Sequence, residues 1–390
     1  MPKNNVFKLM ASAGAEQQSS CETYRETYRE TKRRRMVRRV GALAVSAAML
    51  AGLAGCGKMP TADELVGNTS GAAVSECPVP SAKNEDFTGT IRIAWQAIPN
   101  ADLIVKDKGL LEACLPNATI QWSQFNSGGD VIQAFGSNSL DIGLAGSSPA
   151  VRAASAPLNL PVKVVWIHDI IGDAESLVAR GGDYKSIKDL AGKNIAVPFG
   201  STSHFSLLSA LHNAGMNETS VNLINLDPDK MSAAWTRGEI DAAWVWDPVL
   251  STLKADGGAI VTSSAATAET GSATYDMELA TDAFIKSNPK VMETWTAVEN
   301  YAVGLISSKE ADSAESISTI LGNSVADVKK QFKGYTYPQA KDQSDIFHGQ
   351  LPGIFKDTAE FLKTQGSLDE VSDDYSNVLY TDAIDQVAKQ

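Results

Sequence analysis

Short apolar runs rich in β-forming residues alternate with helical patterns over residues 90–262 of this 390-residue chain. The apolar runs predict nine strands, at residues 90–95, 119–122, 141–145, 162–168, 176–179, 194–199, 221–226, 242–246 and 259–262. The stretches between them show helical spacing, at residues 102–113, 130–136, 203–214 and 229–237. The alternation predicts an α/β fold of parallel sheets and crossover helices. From residue 288 onward, apolar spacings of three and four predict mostly helix.

A ten-residue sequence pattern occurs twice, about a hundred residues apart. Residues 134–143 and 234–243 each combine a helix end, a turn with glycine, and an aliphatic–Asp pair that enters the next strand. Together with the alternation, this repeat predicts two similar lobes. Ligands bind beyond the carboxyl ends of parallel strands, so two facing lobes would form a binding cleft there.

The first 55 residues are basic, with ten Lys or Arg and four Glu, although the whole chain has a formal net charge of -12. An uncharged run over residues 40–55 follows, shorter than the roughly 20 residues that span a membrane. A positive region, a short apolar region and small residues before a cleavage point are typical of an export signal. This signal ends Leu53-Ala54-Gly55-Cys56, which resembles the lipobox of bacterial lipoproteins.

That resemblance implies cleavage before Cys56 and a lipid on its sulfur, anchoring the exported protein at the outer face of the cell membrane, on the periplasmic or cell-surface side. The alternative is a buried cysteine in an ordinary signal anchor. Translation could start at Met1 or Met36, and Arg38 with Arg39 leaves both Sec and twin-arginine export open. We expect a signal peptide with an N-terminal extension over residues 1–55 and a lipidated flexible tether over residues 56–87, which is rich in Ser, Thr, Pro, Ala and Gly.

Two cysteines, Cys77 and Cys114, remain in the exported part. In an oxidising compartment an even pair predicts a disulfide, with two unrelated thiols as the alternative. Neither belongs to a CxxC or Cys/His cluster, so we expect no metal site.

The acidic balance argues against nucleic-acid binding. The sequence has no Walker A or GxGxxG motif, and we expect no cofactor.

Small polar residues follow three of the predicted strands. Gly146-Ser147-Ser148-Pro149 and Gly200-Ser201-Thr202-Ser203-His204 come after two of them, and residues 126–130 give a weaker third case. Ser and Pro favour helix starts, so ordinary capping explains each case alone. Three such starts at strand ends predict a site where helix amides and hydroxyls bind a small oxyanion.

The sequence also contains groups that are suited to binding a cation. Trp246 and Asp247 end a strand, and an aromatic ring beside a carboxylate suits an ammonium group. Alternatively, Trp246 is core and Asp247 caps the helix that Pro248 begins. Glu175 and Asp276 stand where the chain crosses between lobes; they either line the cleft or pair with surface Lys or Arg.

His204 with a neighbouring serine also offers a base and a nucleophile, as in a secreted serine hydrolase. The sequence has no GxSxG elbow and only four His. We therefore expect no catalytic residue and no enzyme.

Residues 192–208 (GKNIAVPFGSTSHFSLL) resemble the taurine-binding proteins of ABC importers. The same resemblance extends to residues 141–143 with 146–149, 233–235 with 237–241, 357–363 and 374–376, and so runs from about residue 90 to residue 376. It implies a type II periplasmic-binding fold, in which two lobes joined by a two-segment hinge deliver a small molecule to a membrane permease and its ATPase.

Position by position, the resemblance implies that the family's cleft is lined at Gln96, Ser147, Ser148, Thr202, Ser203, His204 and Trp246. The chain departs from the pattern at three places. Asp247 replaces the Ala of a Trp-Ala-Pro motif, as in alkanesulfonate-binding relatives; Asn100 and Asp102 stand where a Glu is common; and Glu278 stands where an aromatic residue is expected.

We therefore expect a monomeric, lipid-anchored solute-binding protein that captures taurine or a similar small aminosulfonate. The sulfonate would lie on helix amides and Ser/Thr hydroxyls, and the ammonium would meet Asp247, with Trp246 over the linker. The alternative ligand is an alkanesulfonate or another small organic ion. We expect lobe 1 over residues 88–179 and 270–390, lobe 2 over residues 180–269, and as partners the permease subunits and, through the lipid on Cys56, the membrane.

Overall fold

The computed structural model describes residues 74–182 and 184–390. The predicted signal peptide, the lipidation at Cys56 and most of the tether lie outside the described residues. Within the described part, no helix combines the length and apolar character that a membrane crossing requires.

The first sheet contains six strands, which are β1 (Thr90–Gln96), β2 (Thr119–Phe125), β3 (Ile142–Gly146), β4 (Val162–Ile171), β10 (Tyr275–Thr281) and β11 (Tyr335–Thr336). Their order across the sheet is β11-β4-β10-β3-β1-β2. β1 pairs in parallel with β2 and β3, whereas β10 is antiparallel to β3 and β4, and β11 is antiparallel to β4.

The second sheet contains five strands, which are β5 (Glu175–Arg180), β6 (Asn194–Val197), β7 (Asn222–Asn225), β8 (Ala242–Trp246) and β9 (Gly258–Ser263). Their order is β7-β6-β8-β5-β9. β6 pairs in parallel with β7 and β8, and β5 is antiparallel to both β8 and β9.

The predicted α/β fold with two sheets is confirmed, and each of the nine predicted strands is present. The sheets are mixed rather than wholly parallel. Apart from the short β11, the reversed strand in each sheet is the first one after the chain crosses from the other sheet, β5 or β10. The chain leaves a sheet at the carboxyl ends of its strands and enters the facing sheet at the same kind of edge, so the entering strand runs backwards.

The helices are α1 (Ala101–Lys108), α2 (Leu110–Cys114), α3 (Gly128–Gly136), α4 (Ser147–Ala154), α5 (Thr202–Asn213), α6 (Pro228–Arg237), α7 (Val249–Ala255), α8 (Ser264–Ala268), α9 (Asp282–Ser287), α10 (Pro289–Ser308), α11 (Glu310–Leu321), α12 (Val325–Gln331), α13 (Ala340–His348), α14 (Leu351–Thr364) and α15 (Asp382–Val387). The predicted helix at 102–113 is divided by Gly109, whose φ of 60° ends α1. As predicted, the chain after residue 288 is mostly helical, and it contributes one further strand, β11.

We use lobe 1 for the first sheet with its helices α1–α4 and α9–α15, and lobe 2 for the second sheet with α5–α8. The chain passes between the sheets after β4 and again after β9. At the first crossing, the N–H groups of Gly172 and Ala174 donate to the Gly334 carbonyl, at 3.0 and 3.3 Å. This crossing precedes the expected boundary at residue 180. The domain boundaries and the hinge remain predictions.

Each lobe has its own apolar packing. The largest core joins the first sheet to the C-terminal helices, with Trp166 and Trp295 in edge-to-face contact at 6.5 Å. Smaller cores cover the two faces of the second sheet, around Trp235 and Trp244. A disulfide joins Cys77 to Cys114 at the end of α2. In the chain-entropy model, closing this 37-residue loop stabilises the fold by roughly 4 kcal/mol.

Candidate functional site

A small pocket lies between the two sheets, at the carboxyl ends of their parallel strands. Both lobes line it, through Gln96, Ile98, Gly128, Gly146, Pro149, Ile171, Glu175, Ser201, Thr202, Trp246, Asp276 and Tyr335. Its free volume is about 10 Å³, room for about one water molecule. This volume is too small for an organic ligand in the arrangement that the structure shows.

Three helices begin at this pocket. Gly128 opens α3, Gly146 precedes α4, and Ser201 precedes α5. Ser127 and Ser201 cap α3 and α5, because their hydroxyls accept from the N–H groups of Asp130 and His204 at 3.4 and 3.2 Å. α4 has no side-chain cap. Helix N-termini carry free N–H groups and partial positive charge, so one side of the pocket is suited to an anion.

Ser147 and Ser148 already have partners in this closed arrangement. The Ser147 hydroxyl accepts from the N–H of Tyr275 at 3.2 Å. The Ser148 hydroxyl donates to the carbonyl of Ser201 at 3.1 Å, which ties α4 of lobe 1 to the start of α5 in lobe 2. Ser148 does not line the pocket itself.

Glu175, at the start of β5, is buried and surrounded by hydroxyl groups. The donors to its carboxylate are Thr202 (2.6 Å), Ser203 (2.8 Å), Ser264 (2.6 Å) and Ser206 (3.5 Å). Burial raises the pKa of Glu175, although these four bonds act in the opposite direction. Thr202 and Ser203 thus donate to a carboxylate. Towards a ligand they present oxygen lone pairs, which suit an ammonium better than a sulfonate.

Asp276, at the start of β10, opposes Gly146 on β3 and Asp169 on β4. Asp169 is fully buried, and neither of its oxygens has a donor among the described residues, so the two carboxyls can bond only through a shared proton. Burial and the charge of Glu175 raise the pKa of Asp276 to about 8. Burial and the neighbouring Asp276 raise the pKa of Asp169 well above its usual range.

We call Asp169, Glu175 and Asp276 the cleft acid cluster. None of the described residues that line the pocket is Lys, Arg or His. The cluster therefore has no positive partner of its own there, although buried charges are normally paired.

Of the other site residues predicted from the sequence, Gln96 and Trp246 line the pocket and Asp247 does not. Gln96 lines the pocket, and its side-chain amide donates to the Leu144 carbonyl at 2.9 Å. Trp246 also lines the pocket. Asp247 does not; its carboxylate accepts from the N–H and hydroxyl of Ser251 at 2.9 and 2.6 Å and so caps α7, the alternative that the sequence left open. Burial raises the pKa of Asp247.

His204 lies outside the pocket, in a neighbouring groove. Its Nδ1 accepts from the N–H of Gly200 at 3.2 Å, and its ring stacks on Phe199. Burial, aided by the charge of Arg152, lowers the pKa of His204 to about 4. Among the described residues, no serine hydroxyl bonds to the imidazole, so the pair that a serine hydrolase needs is not assembled.

Sequence reasoning missed Asp169 and Tyr335. The available signal for Asp169 was a polar pair, His168-Asp169, flanked on both sides by apolar residues within the strand. Tyr335 comes from a two-residue strand and lines the pocket; its buried hydroxyl has no partner among the described residues. Burial and the nearby carboxyls raise the pKa of Tyr335 well above its usual range.

Comparison with known proteins assigns the chain to a family. A family model described as NMT1/THI5 like matches residues 120–303. The taurine-binding periplasmic protein of Escherichia coli (strain K12) is 35% identical over 268 residues, which cover 66% of this chain and 82% of that protein. The chain belongs to the family of periplasmic taurine- and sulfonate-binding proteins.

Solved structures agree with this family's fold. The aliphatic sulphonate binding protein SsuA of Escherichia coli has a TM-score of 0.61 at 22% identity, covering 76% of this chain and 99% of that one. The alkanesulfonate-binding protein SsuA of Xanthomonas axonopodis pv. citri has a TM-score of 0.60 at 22% identity, covering 72% and 94%. The expected family and fold are confirmed. The chain's relatives in this family are substrate-binding proteins rather than enzymes, and the periplasmic location of its taurine-binding relative agrees with export.

Proposed function

We propose that the protein is the exported solute-binding component of an ABC importer and that it captures a small zwitterionic aminosulfonate such as taurine. One observation carries the proposal: a single pocket between the lobes combines three helix N-termini with an acid cluster that lacks a positive partner. A relative of 35% identity, named as a taurine-binding protein, supports the same ligand class.

The anionic end of the ligand would lie at the start of α4. This N-terminus has no side-chain cap, so its first N–H groups can donate to sulfonate oxygens. Gly146 lets the facing lobe approach this N-terminus closely, because a Cβ there would collide with Cγ2 of Thr202. The helix ends supply the positive potential that a basic side chain would otherwise provide.

The ammonium end would lie on the cleft acid cluster. Asp276 and Glu175 both line the pocket, and Thr202 offers hydroxyl lone pairs beside them. The ring of Trp246 also borders the pocket and suits a cation or the short carbon linker. An ammonium there would replace the proton shared by Asp169 and Asp276.

Closure would follow from contacts that only the shut state makes. The Ser148–Ser201 bond and the Gly146–Thr202 approach both join lobe 1 to lobe 2. A ligand held by both lobes binds the closed state better and therefore shifts the population towards it. The two chain crossings would act as the two segments of the hinge.

The ligand assignment is tested by isothermal titration calorimetry at pH 7.5 with taurine, ethanesulfonate and ethylammonium. We expect taurine to bind at least about 100-fold more tightly than either fragment, because each fragment leaves one end of the pocket unpaired. Ethanesulfonate binding as tightly as taurine would show that the ligand is a plain alkanesulfonate. Binding of none of the three would refute the proposed ligand class.

We also propose that Cys56 carries the lipid anchor. The lipobox-like Leu53-Ala54-Gly55-Cys56 supports this proposal. In cells, the wild-type protein should partition into the detergent phase of a Triton X-114 extraction, whereas Cys56→Ser should shift it to the aqueous phase. Equal partitioning of both proteins would contradict the anchor.

A further inference from the structure

A second cavity, of about 480 Å³, lies beside the pocket and also has walls from both lobes. We call it the outer groove and define it by Arg152 and Leu158 of lobe 1 and by Phe199, Gly200 and His204 of lobe 2. Ser201 borders both cavities, and the Ser148 hydroxyl bonds to its carbonyl at their boundary. The function proposed above does not use this groove.

Arg152 lies on α4 and reaches across to lobe 2. A Cβ at Gly200 would collide with Nη1 of Arg152, so the guanidinium packs directly on the Gly200 backbone. Among the described residues, the guanidinium has neither a hydrogen-bond acceptor nor an acidic partner. Partial burial lowers the pKa of Arg152, but an arginine side chain keeps its charge.

His204 supplies a second donor without an acceptor. Because its Nδ1 accepts from the Gly200 N–H, the neutral ring carries its proton on Nε2. Nε2 is buried and has no partner among the described residues. An unmade hydrogen bond at a buried donor is costly, so this position favours an acceptor from outside the chain.

Most of the other described side chains that line the groove are apolar, the polar ones being Gln133, Ser148, Ser201 and Ser367, and none carries a negative charge. None of the described residues that line it is Asp or Glu, which leaves Arg152 as its one permanent charge. Phe199 is 42% exposed, and Leu158 is equally exposed, at 42%. Exposed apolar surface beside an unpaired cation matches a molecule that is apolar with an anionic end.

We propose that the outer groove binds an amphipathic organic anion, with its oxyanion group on Arg152 and the Nε2–H of His204 and its apolar body against Phe199 and Leu158. Taurine itself fits this groove poorly, because no carboxyl is present to meet its ammonium. Since Arg152 and His204 belong to different lobes, the bound anion would bridge them and favour closure. This consequence for closure rests on the proposed function, whereas the binding site does not.

The site is tested by calorimetry with benzenesulfonate as the probe, on the full exported protein saturated with taurine. We expect one benzenesulfonate per protein, and we expect Arg152→Gln to weaken its binding at least about tenfold, because a charge-assisted hydrogen bond is lost. The control Arg237→Gln removes an equal charge from an exposed surface pair and should leave the affinity within about twofold. His204→Phe keeps the stacked ring, removes the donor, and should weaken binding by a smaller factor.

Three outcomes would overturn the site: no binding at millimolar benzenesulfonate, competition between benzenesulfonate and taurine, or equal affinity in wild type and Arg152→Gln. If taurine does not bind at all, the proposed function fails while the dependence of benzenesulfonate binding on Arg152 can still be measured. Asp276→Asn separates the two sites in the same way, because it should weaken taurine binding and, with no taurine present, should bind benzenesulfonate as the wild type does. For closure, benzenesulfonate should tighten taurine binding in wild type and not in Arg152→Gln; an unchanged affinity in wild type would refute the bridging.

Discussion

Strand β10 contributes an acid to each of two buried clusters, and the clusters differ in what surrounds them. Asp276 belongs to the cleft acid cluster at the edge of the sheet. Glu278, two residues further, belongs to a second group with Asp102, Glu299 and His168, which we call the core acid cluster. Both contain acids whose pKa is raised mainly by burial.

In the core acid cluster, every side chain is almost completely buried. Nε2 of His168 lies 2.7 Å from Oε2 of Glu278, and its Nδ1 lies 3.9 Å from Oε2 of Glu299. Burial lowers the pKa of His168 to about 3, so the contact with Glu278 is a hydrogen bond of a neutral imidazole. Burial raises the pKa of Asp102 to about 7 and those of Glu278 and Glu299 well above their usual range.

The two clusters differ in their access to the pocket and in the hydrogen-bond donors that surround their carboxyl groups. In the cleft acid cluster, two members line a pocket, and Glu175 accepts four hydroxyl bonds, so the cluster can ionise when a cation arrives. In the core acid cluster, both oxygens of Asp102 and of Glu299 lack hydrogen-bond partners among the described residues, and no member lines that pocket. Acids on one strand can therefore serve binding or only raise the free energy of the folded state, according to their distance from the sheet edge.

The largest expected effect separates the two acids of β10. Asp276→Asn should weaken taurine binding roughly 100-fold, because a buried ammonium loses its charged partner. Glu278→Gln, the matched change two residues away, should keep the affinity within about threefold. Calorimetric titration measures both. An equal loss in the two variants would remove the distinction between the clusters.

A smaller effect is expected on stability. At pH 8, Glu299→Gln should raise the free energy of unfolding by on the order of 2 kcal/mol, because a buried acid that must hold a proton is replaced by a neutral group of the same shape. Glu293→Gln, an exposed site on the same helix α10, is the control and should change it by less than about 0.5 kcal/mol. Urea unfolding measures both. A lower free energy of unfolding for Glu299→Gln would contradict the assignment of Glu299 as a buried acid that holds a proton.

The buried acids of both clusters should make the free energy of unfolding of the wild type fall as the pH rises from about 6.5 to 8. Their pKa values are higher in the folded protein than in the unfolded chain, so the folded protein holds protons that the unfolded chain has released. Asp102 and Asp276 contribute to this fall up to their folded pKa values of about 7 and about 8, and Glu278 and Glu299, whose pKa values are also raised, contribute in the same direction. His168 has the opposite sign and lowers stability below its unfolded pKa of 6.5. Urea unfolding at several pH values gives the curve, and Glu299→Gln should flatten it; a stability that rises over this range would contradict the raised values.

The smallest effect concerns protons released on binding. At pH 7, an ammonium that replaces the proton between Asp169 and Asp276 should release up to about one proton per taurine, with Glu175 and Tyr335 as the other titratable groups that border the pocket. Calorimetry in buffers of different ionisation enthalpy measures this number. Glu278→Gln should leave it unchanged and Asp276→Asn should abolish it; zero release in the wild type would refute proton sharing.

The sequence predicted strands well where runs of β-forming residues are long enough to be recognised. This holds for the buried strands and also for the edge strands β2 and β7, which contain no buried residue, whereas β10 carries Asp276 and Glu278 and so lacks the apolar pattern of a buried strand. β11 has two residues, too few for any periodicity. Its place beside β4 depends on the packing of the C-terminal helices, which local pattern does not encode.

The same limit applies to the candidate site: the sequence indicated single residues but not the contacts that folding creates between them. Gln96, Thr202 and Trp246, which the family resemblance implied, line the pocket. The partners of Thr202 and Ser203 were not predictable, because Glu175 lies on β5, 27 residues before Thr202, and meets them only when lobe 2 folds. Asn100, Asp102 and Glu278 appeared as separate departures from the family pattern; Asp102 and Glu278 meet electrostatically in the core acid cluster.

The bond between Cys77 and Cys114 has a mechanical consequence. Tension applied to the chain before residue 74 would pass through sulfur into α2 of lobe 1 instead of pulling on the first strand at Thr90. Both backbone connections of lobe 2 run to lobe 1, so lobe 2 would carry none of that load. Under the proposed anchoring, lobe 1 would bear the load of attachment and lobe 2 would stay unloaded for the proposed hinge motion.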